Sequence, residues 1–417
     1  MAHAMNGGPL AGLCILDMTS VVMGPLCTLL LAAMGAEVIK LESPDGDINR
    51  NLGPGRVPGL SGTFIYLNNN KKSIAVDLTT ERGREVCLEL AAQCDVFVHS
   101  LRPAALTKLG LTYAELAARR EDIVYCNLFG FGRGGDYFGM PAYDDTIQAV
   151  SGLAMLEAEM HGEPAYVTSV FGDKVSGITA AYAILAAVLF RNNGGGGQEV
   201  DVPMFEVMAQ CLLAEHATGY VFRPPLSKPV YKRPVSKHRR PFRTADGYLS
   251  VIVYTQRHFE KFFRLAGRPE VIDDPRFATF EQRTIHSEQY YALVADVLTG
   301  RTNDEWLRLL NQAEIPCIRL NTTEDLYSDP HLKRTSFFQE LRDRSGETLV
   351  LPRFPVAFAR SPALPPGSAP LLSEHADELL RACGYSAAEI ASLFAEGAVI
   401  RPPERARDEG SALAEKR

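Results

Sequence analysis

The chain has 417 residues, 46% of them hydrophobic and 22% charged, the proportions of a folded globular protein and not of a disordered or fibrous one. A formal net charge of −7 leaves no basic excess for wrapping nucleic acid, and eight cysteines without a CxxC pair argue for reduced core thiols and against a disulfide framework. The length exceeds one modal domain, so two are expected.

Residues 1–8 lack the basic-then-apolar pattern of a secretory leader. The longest apolar run, 178–190, is too short to cross a bilayer and is interrupted by Thr179 and Tyr182, so a cytoplasmic protein without a membrane span is expected. Short β-branched runs at 13–17, 36–41, 73–78, 96–100 and 123–128 read as strands. The stretches between them, 25–34, 81–93 and 113–119, carry the apolar spacing of covering helices. This alternation predicts an α/β fold whose large domain holds a Rossmann-like, doubly wound parallel sheet.

A long helix is predicted over 173–191, closed by the glycine-rich run 192–197, and a further helix over 204–218. Residues 223–242 contain five prolines and a cluster of Lys and Arg, which predicts an extended linker at 223–243. The pattern restarts with an Asp246-Gly247 turn, a strand at 248–254 and helices at 257–265 and 288–298. The predicted organisation is a large domain at 9–222 and a smaller α/β domain at 244–329. A return linker with the C-terminal part of the large domain follows at 330–400, with helices from Ser373 and near Ala387. A disordered tail is predicted at 401–417.

No Walker loop, HExxH, zinc-spaced His and Cys set or GxSxG elbow occurs, so neither a metal site nor nucleotide hydrolysis is predicted. Trp306 sits in an amphipathic pattern and reads as packing. The feature that stands out is Gly172-Asp173 ahead of a run of small and β-branched residues. A carboxylate at a helix N-terminus is held ionised by the dipole and free N–H groups, which suits a nucleophile. Aspartate is equally a preferred N-cap, and the local pattern alone leaves both roles open.

Several motifs together resemble the class III CoA-transferases of the CaiB/BaiF family, from about Leu10 to Leu380. "LAGLCILDMTSVVMGPLCTLLLAAMGAEVIKLESPDGD" is similar to the family's opening strand, Gly-Pro helix start and second strand. "NNNKKSIAVDL" and "DVFVHSLRPAALTKLGL" resemble its third strand and its Arg-Pro helix start, with Ser100 and Leu101 where Asn-Phe is usual and Ala104 in place of Gly. "LFGFGRGGDYFGMPAYDDTIQAVSGL" and "VFGDKVSGITAAYAILAAVLFRNNGGGGQEVDVPMFEVM" look like the thioester-binding and catalytic segments, and "DDPRF", "SDPHL" and "LLSEHADELL" like later signatures.

The resemblance implies an enzyme that moves coenzyme A from an acyl-CoA to a carboxylic acid, with Asp173 forming first an acyl anhydride and then a thioester with CoA. It implies contacts to CoA or substrate from Val22, Met23, Lys72, Ser100, Leu101, Arg102, Lys108, Gly130, Phe131, Gly132, Tyr143 and Asp144. CoA would act as co-substrate, with no permanently bound cofactor, and the protein would be an interlocked homodimer. Backbone N–H groups near Gly130 and Gly132 are candidates for oxyanion stabilisation, and Phe131 would shield the anhydride or pack in the core.

Related α-methylacyl-CoA racemases use a histidine in a Gly-His-Asp motif as second acid/base. Here the corresponding stretch is Ala142-Tyr143-Asp144, and a tyrosine is a poor proton acceptor at neutral pH. A racemase and a non-catalytic CoA-binding scaffold remain the alternatives. The glycine-rich loop of the formyl-CoA:oxalate branch is replaced by "SKHRRPFRTADGY", whose Arg239 and Arg240 are candidates for a second carboxylate on a dicarboxylic acceptor.

Overall fold

The structure, a computed structural model, describes residues 7–402. The expected tail therefore lies outside the described residues from 403 onward. The described chain falls into two compact units: one runs to Gln148 and adds Val170–Met208 and the chain from Lys333, and the other comprises Ala149–Ser169 and Ala209–Leu332.

In the first unit, strand β1 (Cys14–Met18) is followed by helix α1 (Met23–Ala33), β2 (Glu37–Glu42), α2 (Gly62–Asn68), β3 (Lys71–Ala75), α3 (Glu81–Gln93) and β4 (Val96–His99). The chain continues through α4 (Pro103–Leu109), α5 (Tyr113–Arg119) and β5 (Val124–Phe129) to α6 (Asp144–Ser151). Helix α7 (Leu153–His161) groups with the second unit, and α8 (Phe171–Phe190), β6 (Gln198–Pro203) and the start of α9 (Met204–His216) return to the first. The six strands are all parallel in the order β3-β2-β1-β4-β5-β6.

Local chemistry explains these elements. Every residue of β1 is buried, as a central parallel strand covered on both faces requires. Helix α3 starts where the Thr80 hydroxyl accepts from the Gly83 N–H at 3.0 Å, and it buries Gly83, Val86, Cys87, Leu90 and Ala91 at helical spacing. Burial of Val86 and Leu90 contributes about 1.5–3 kcal/mol each. Helix α8 ends at the glycine run, where Gly194 and Gly196 adopt φ of 89° and 81°.

Helix α8 starts earlier than the apolar run suggests. With its continuation, Phe171–Gly195, it is long and apolar enough by length and composition to cross a membrane. Its buried residues pack against α1, β5 and β6.

In the second unit, β7 (Phe242–Arg243), β8 (Tyr248–Val251) and β9 (Cys317–Arg319) form an antiparallel sheet joined by the expected turn, where the Gly247 N–H donates to the Thr244 hydroxyl at 3.1 Å. It packs with α10 (Gln256–Leu265), α11 (Phe280–Ile285), α12 (Ser287–Leu298) and α13 (Asn303–Gln312) around Phe259, Phe262, Phe263 and Trp306. Trp306 is core, as predicted, and its indole N–H donates to the Leu298 carbonyl at 2.8 Å.

Helix α14 (Pro330–Arg334) leads back to the first unit, which gains the hairpin β10 (Phe338–Arg342) and β11 (Thr348–Pro352) and helices α15 (Ala376–Ala382) and α16 (Ala387–Ala395). The returning chain ties to the β3 end: the Ile400 N–H donates to the Ala75 carbonyl at 2.9 Å and the His375 N–H to the Ser73 carbonyl at 2.9 Å.

Candidate active site

A cavity opens at the C-terminal ends of β1, β4 and β5. In a doubly wound sheet the strand order reverses between β1 and β4, and the connections leaving those strands diverge to opposite faces, so a crevice forms there. Its walls come from Ser20–Met23 beyond β1, Ser100–Pro103 beyond β4, Leu128–Phe131 at the end of β5 and just past it, and Gly139–Tyr143, with Asp173 and Met204 completing it. Of the residues singled out by sequence, Val22, Met23, Ser100, Leu101, Arg102, Gly130, Phe131, Tyr143 and Asp173 thus meet at one place.

Asp173 is the third residue of α8, whose N-cap position is Val170 without a side-chain cap. Its own carboxylate does not cap the helix. The Asp173 N–H instead donates to Asp144 Oδ1 at 3.0 Å, while Asp144 Oδ2 accepts from Gln148 Nε2 at 2.6 Å. Asp144, itself buried outside the cavity wall, therefore supplies the capping role. Burial, and after it the Asp144 charge, push the Asp173 carboxyl up from 3.8 to about 7. This reverses the direction expected from the helix dipole: desolvation outweighs the terminal N–H groups, one of which Asp144 already occupies. A carboxylate so held is more basic, and once ionised more nucleophilic, than one in water.

Gly130 allows the β5 loop to pass against the opposite wall, since a Cβ there would lie 2.2 Å from Ala142 Cβ. Gly132 lies off the cavity wall, and its N–H already donates to Glu206 Oε1 at 2.9 Å, so it is not available to an oxyanion. Phe131 is buried edge-to-face against Tyr137 and Phe205 while also lining the cavity, so it packs in the core and faces the cavity at once. Tyr143 is 69% exposed on the wall.

Lys72 and Lys108 are not among the lining residues. The Lys72 ammonium bonds Glu37 and Glu378, each at 2.6 Å, and Lys108 is exposed on α4. Arg239 and Arg240 lie in the second unit, around a separate pocket with Phe242, Val251, Tyr291 and Arg233, whose Nε donates to the Tyr291 hydroxyl at 2.9 Å. Among the described residues no group of three or more His, Cys, Asp or Glu side chains is placed to hold a metal ion.

Two supporting networks escaped the sequence reading. Val21, at φ 70°, is a β-branched residue in left-handed backbone, a costly conformation that persists only where neighbours hold it. Its N–H donates to Asp47 Oδ1 at 3.3 Å and its carbonyl accepts from Asn49 Nδ2, while Asp47 pairs at 2.9 Å with the fully buried Lys40. Beside it, buried Lys71 donates to Asp17 Oδ2 at 3.2 Å and Thr28 Oγ1 at 2.7 Å; burial lowers its ammonium to about 8, with Asp17 opposing that fall. The second network fixes β4: burial holds His99 neutral, near 4, its Nδ1 accepts from the cavity-lining Leu101 N–H at 3.2 Å, and its Nε2–H donates to Asn127 Oδ1 at 2.7 Å. Lysines within strands and a histidine at a strand's end are the signals that could have found them.

A profile of CoA-transferase family III matches residues 10–376. The chain is 32% identical over 381 residues to a Mycobacterium tuberculosis protein named "probable fatty acyl-CoA transferase Rv3272", covering 88% of this chain and 96% of that one. A crystal structure of Rv3272 superposes with a TM-score of 0.76 at 30% identity, over 88% of this chain and 98% of that one. Succinyl-CoA:glutarate CoA-transferase of Mus musculus is 30% identical over 401 residues, covering 94% of this chain and 90% of that one. A CaiB/BaiF family protein from Brucella suis superposes with a TM-score of 0.76 at 29% identity, over 90% of this chain and 100% of that one. With the profile spanning most of its length and relatives matched over most of both chains, the chain belongs to the class III CoA-transferases, the CaiB/BaiF family, and is an enzyme of that class.

Proposed function

We propose that the enzyme transfers CoA from an acyl-CoA donor to a carboxylic acid through covalent intermediates on Asp173. Ionised Asp173 attacks the thioester carbonyl; the carbon–sulfur bond breaks and CoA thiolate leaves, giving an acyl–aspartyl anhydride. The thiolate then adds to Asp173 Cγ, the donor acid departs as a carboxylate, and the enzyme carries a thioester to CoA. The acceptor carboxylate attacks the same carbon and displaces the thiolate, which attacks the acceptor carbonyl and restores Asp173. Each step exchanges one activated acyl group for another, so the protein's task is positioning and exclusion of water.

The observation that carries this reading is a buried carboxylate of raised basicity on the wall of the cavity at the sheet's switch point. Leu101, Arg102 and the backbone around Gly130 would contact CoA. Succinyl-CoA with glutarate is the first donor–acceptor pair to test, because a relative bears that name. Asp173→Asn and Asp173→Ala should lose CoA exchange while remaining folded; exchange at the native rate in either would refute the reading. A panel of acids read by mass spectrometry identifies the acceptor, and running it in deuterated water reports racemase chemistry as exchange at the α-carbon.

The strand order supports a Rossmann-like description of the large domain. We also read the protein as a cytoplasmic, interlocked homodimer. Exposed Ile178, Tyr182, Leu189 and Phe190 on α8 support a partner there, and a monomer in sedimentation would overturn it.

A further inference from the structure

Ser176 stands one turn beyond Asp173 on α8; it is fully buried, and its hydroxyl has no hydrogen-bond partner among the described residues. A serine inside a helix ordinarily donates to a carbonyl three or four residues back, and burying the hydroxyl unpaired carries an energetic cost that alanine would not. The neighbouring carboxyl is in the matching condition. The Asp173 backbone N–H is taken by Asp144, but no hydrogen bond reaches the Asp173 side-chain oxygens among the described residues.

Residues three apart on a helix share a face, with Cβ atoms about 5–6 Å apart, and each side chain leans toward the helix N-terminus. Ser176 therefore overlies the turn that bears Asp173. Helix α8 is seated firmly here: a Cβ at Gly177 would come within 2.6 Å of the Met23 carbonyl oxygen, so α1 and α8 approach as closely as glycine permits. An orphan donor and an orphan acceptor share one buried helix face beside the cavity.

We infer that the Ser176 hydroxyl donates a hydrogen bond to the Asp173 carboxyl group during turnover. The bond steadies the attacking carboxylate, and it strengthens when CoA thiolate adds to Asp173 Cγ and negative charge gathers on the remaining carboxyl oxygen. Thiolate addition forms the carbon–sulfur bond, the anhydride carbon–oxygen bond breaks, and the donor acid leaves with the electron pair, while the serine proton stays in place. The inference rests on the nucleophilic role proposed for Asp173.

Ser176→Ala should lower kcat for CoA exchange by roughly 100-fold, the lower end of the range for loss of one oxyanion donor. Its urea midpoint should equal or exceed the native one, and the acid limb of its kcat/KM profile should move to higher pH. Ser176→Thr keeps the hydroxyl and should retain most of the rate. A native kcat and pH profile in Ser176→Ala overturns the inference, as does a loss of rate matched by a lowered urea midpoint. Hydroxylamine trapping separates the two ideas. If the native enzyme given acyl-CoA yields an Asp173 adduct while Ser176→Ala turns over normally, only the serine role fails; if the native enzyme yields no adduct, the Asp173 reading fails.

Discussion

Replacing Asp173 with asparagine should make the enzyme inactive and, above neutral pH, more stable. The carboxyl titrates at 3.8 in an unstrained setting and at about 7 in the folded protein. Because the folded value is raised, the native state is unpenalised below the unfolded value and loses stability as pH rises, reaching its full penalty above the folded value. Linkage over that interval gives a ceiling of roughly 4 kcal/mol, of which roughly 2.5 kcal/mol accrues between pH 5 and pH 8. Asparagine does not titrate and fills nearly the same volume, so the stability of Asp173→Asn relative to the native enzyme should rise by about that amount across the interval. Urea unfolding of both proteins at pH 5, 6, 7 and 8, with unchanged m-values, reads it directly. An offset between the two curves that is the same at every pH would refute the desolvated carboxyl. An offset that grows with pH makes the variant an instance of stability withheld for function.

The same titration sets the rate: kcat/KM should fall as pH drops below about 7, because protonated Asp173 cannot attack, and a profile flat down to pH 5 would contradict it. Gly130→Ala brings a Cβ to 2.2 Å from Ala142 Cβ and should cost about 1–3 kcal/mol together with activity, whereas adding Ala142→Gly should restore both, measured as a double-mutant cycle. Lys71→Met takes from buried Asp17 the cation that bonds it directly and should destabilise by about 3–5 kcal/mol in urea unfolding, with Asp17→Asn in the same chain recovering part of the loss.

Much of the large domain was legible because most of its strands carry short β-branched apolar runs. β1 and β4 are wholly buried and fall where their β-branched runs predict, and α3 begins and ends at the residues its cap and spacing indicate. β3 was placed two residues late because it opens with Lys71, a lysine buried in a polar cluster that apolar patterning cannot anticipate. β8 ends at Val251, short of the apolar run, because its partner β9 has only three residues to pair with it.

The site was legible as a set of motifs and illegible as electrostatics. Asp173 stood out beside Gly172, and the local reading took the helix start as what keeps it charged. Burial decides its charge first, and the neighbour that adds to it, Asp144, lies 29 residues earlier and reaches Asp173 only through the fold. Lys72 and Lys71 are adjacent in sequence but point to opposite faces of β3, one to surface glutamates and one to the buried cluster, a distinction that strand alternation carries but the motif does not. The left-handed backbone of Val21 has no sequence signature, since valine is among the residues least suited to it.

The covalent role of Asp173 is the central claim, and peptide mass spectrometry after trapping tests it most directly. Native enzyme incubated with succinyl-CoA and quenched with hydroxylamine or borohydride should carry its modification on the peptide containing Asp173, and the Asp173→Asn variant should carry none. An unmodified Asp173 peptide from enzyme that is turning over would contradict the account.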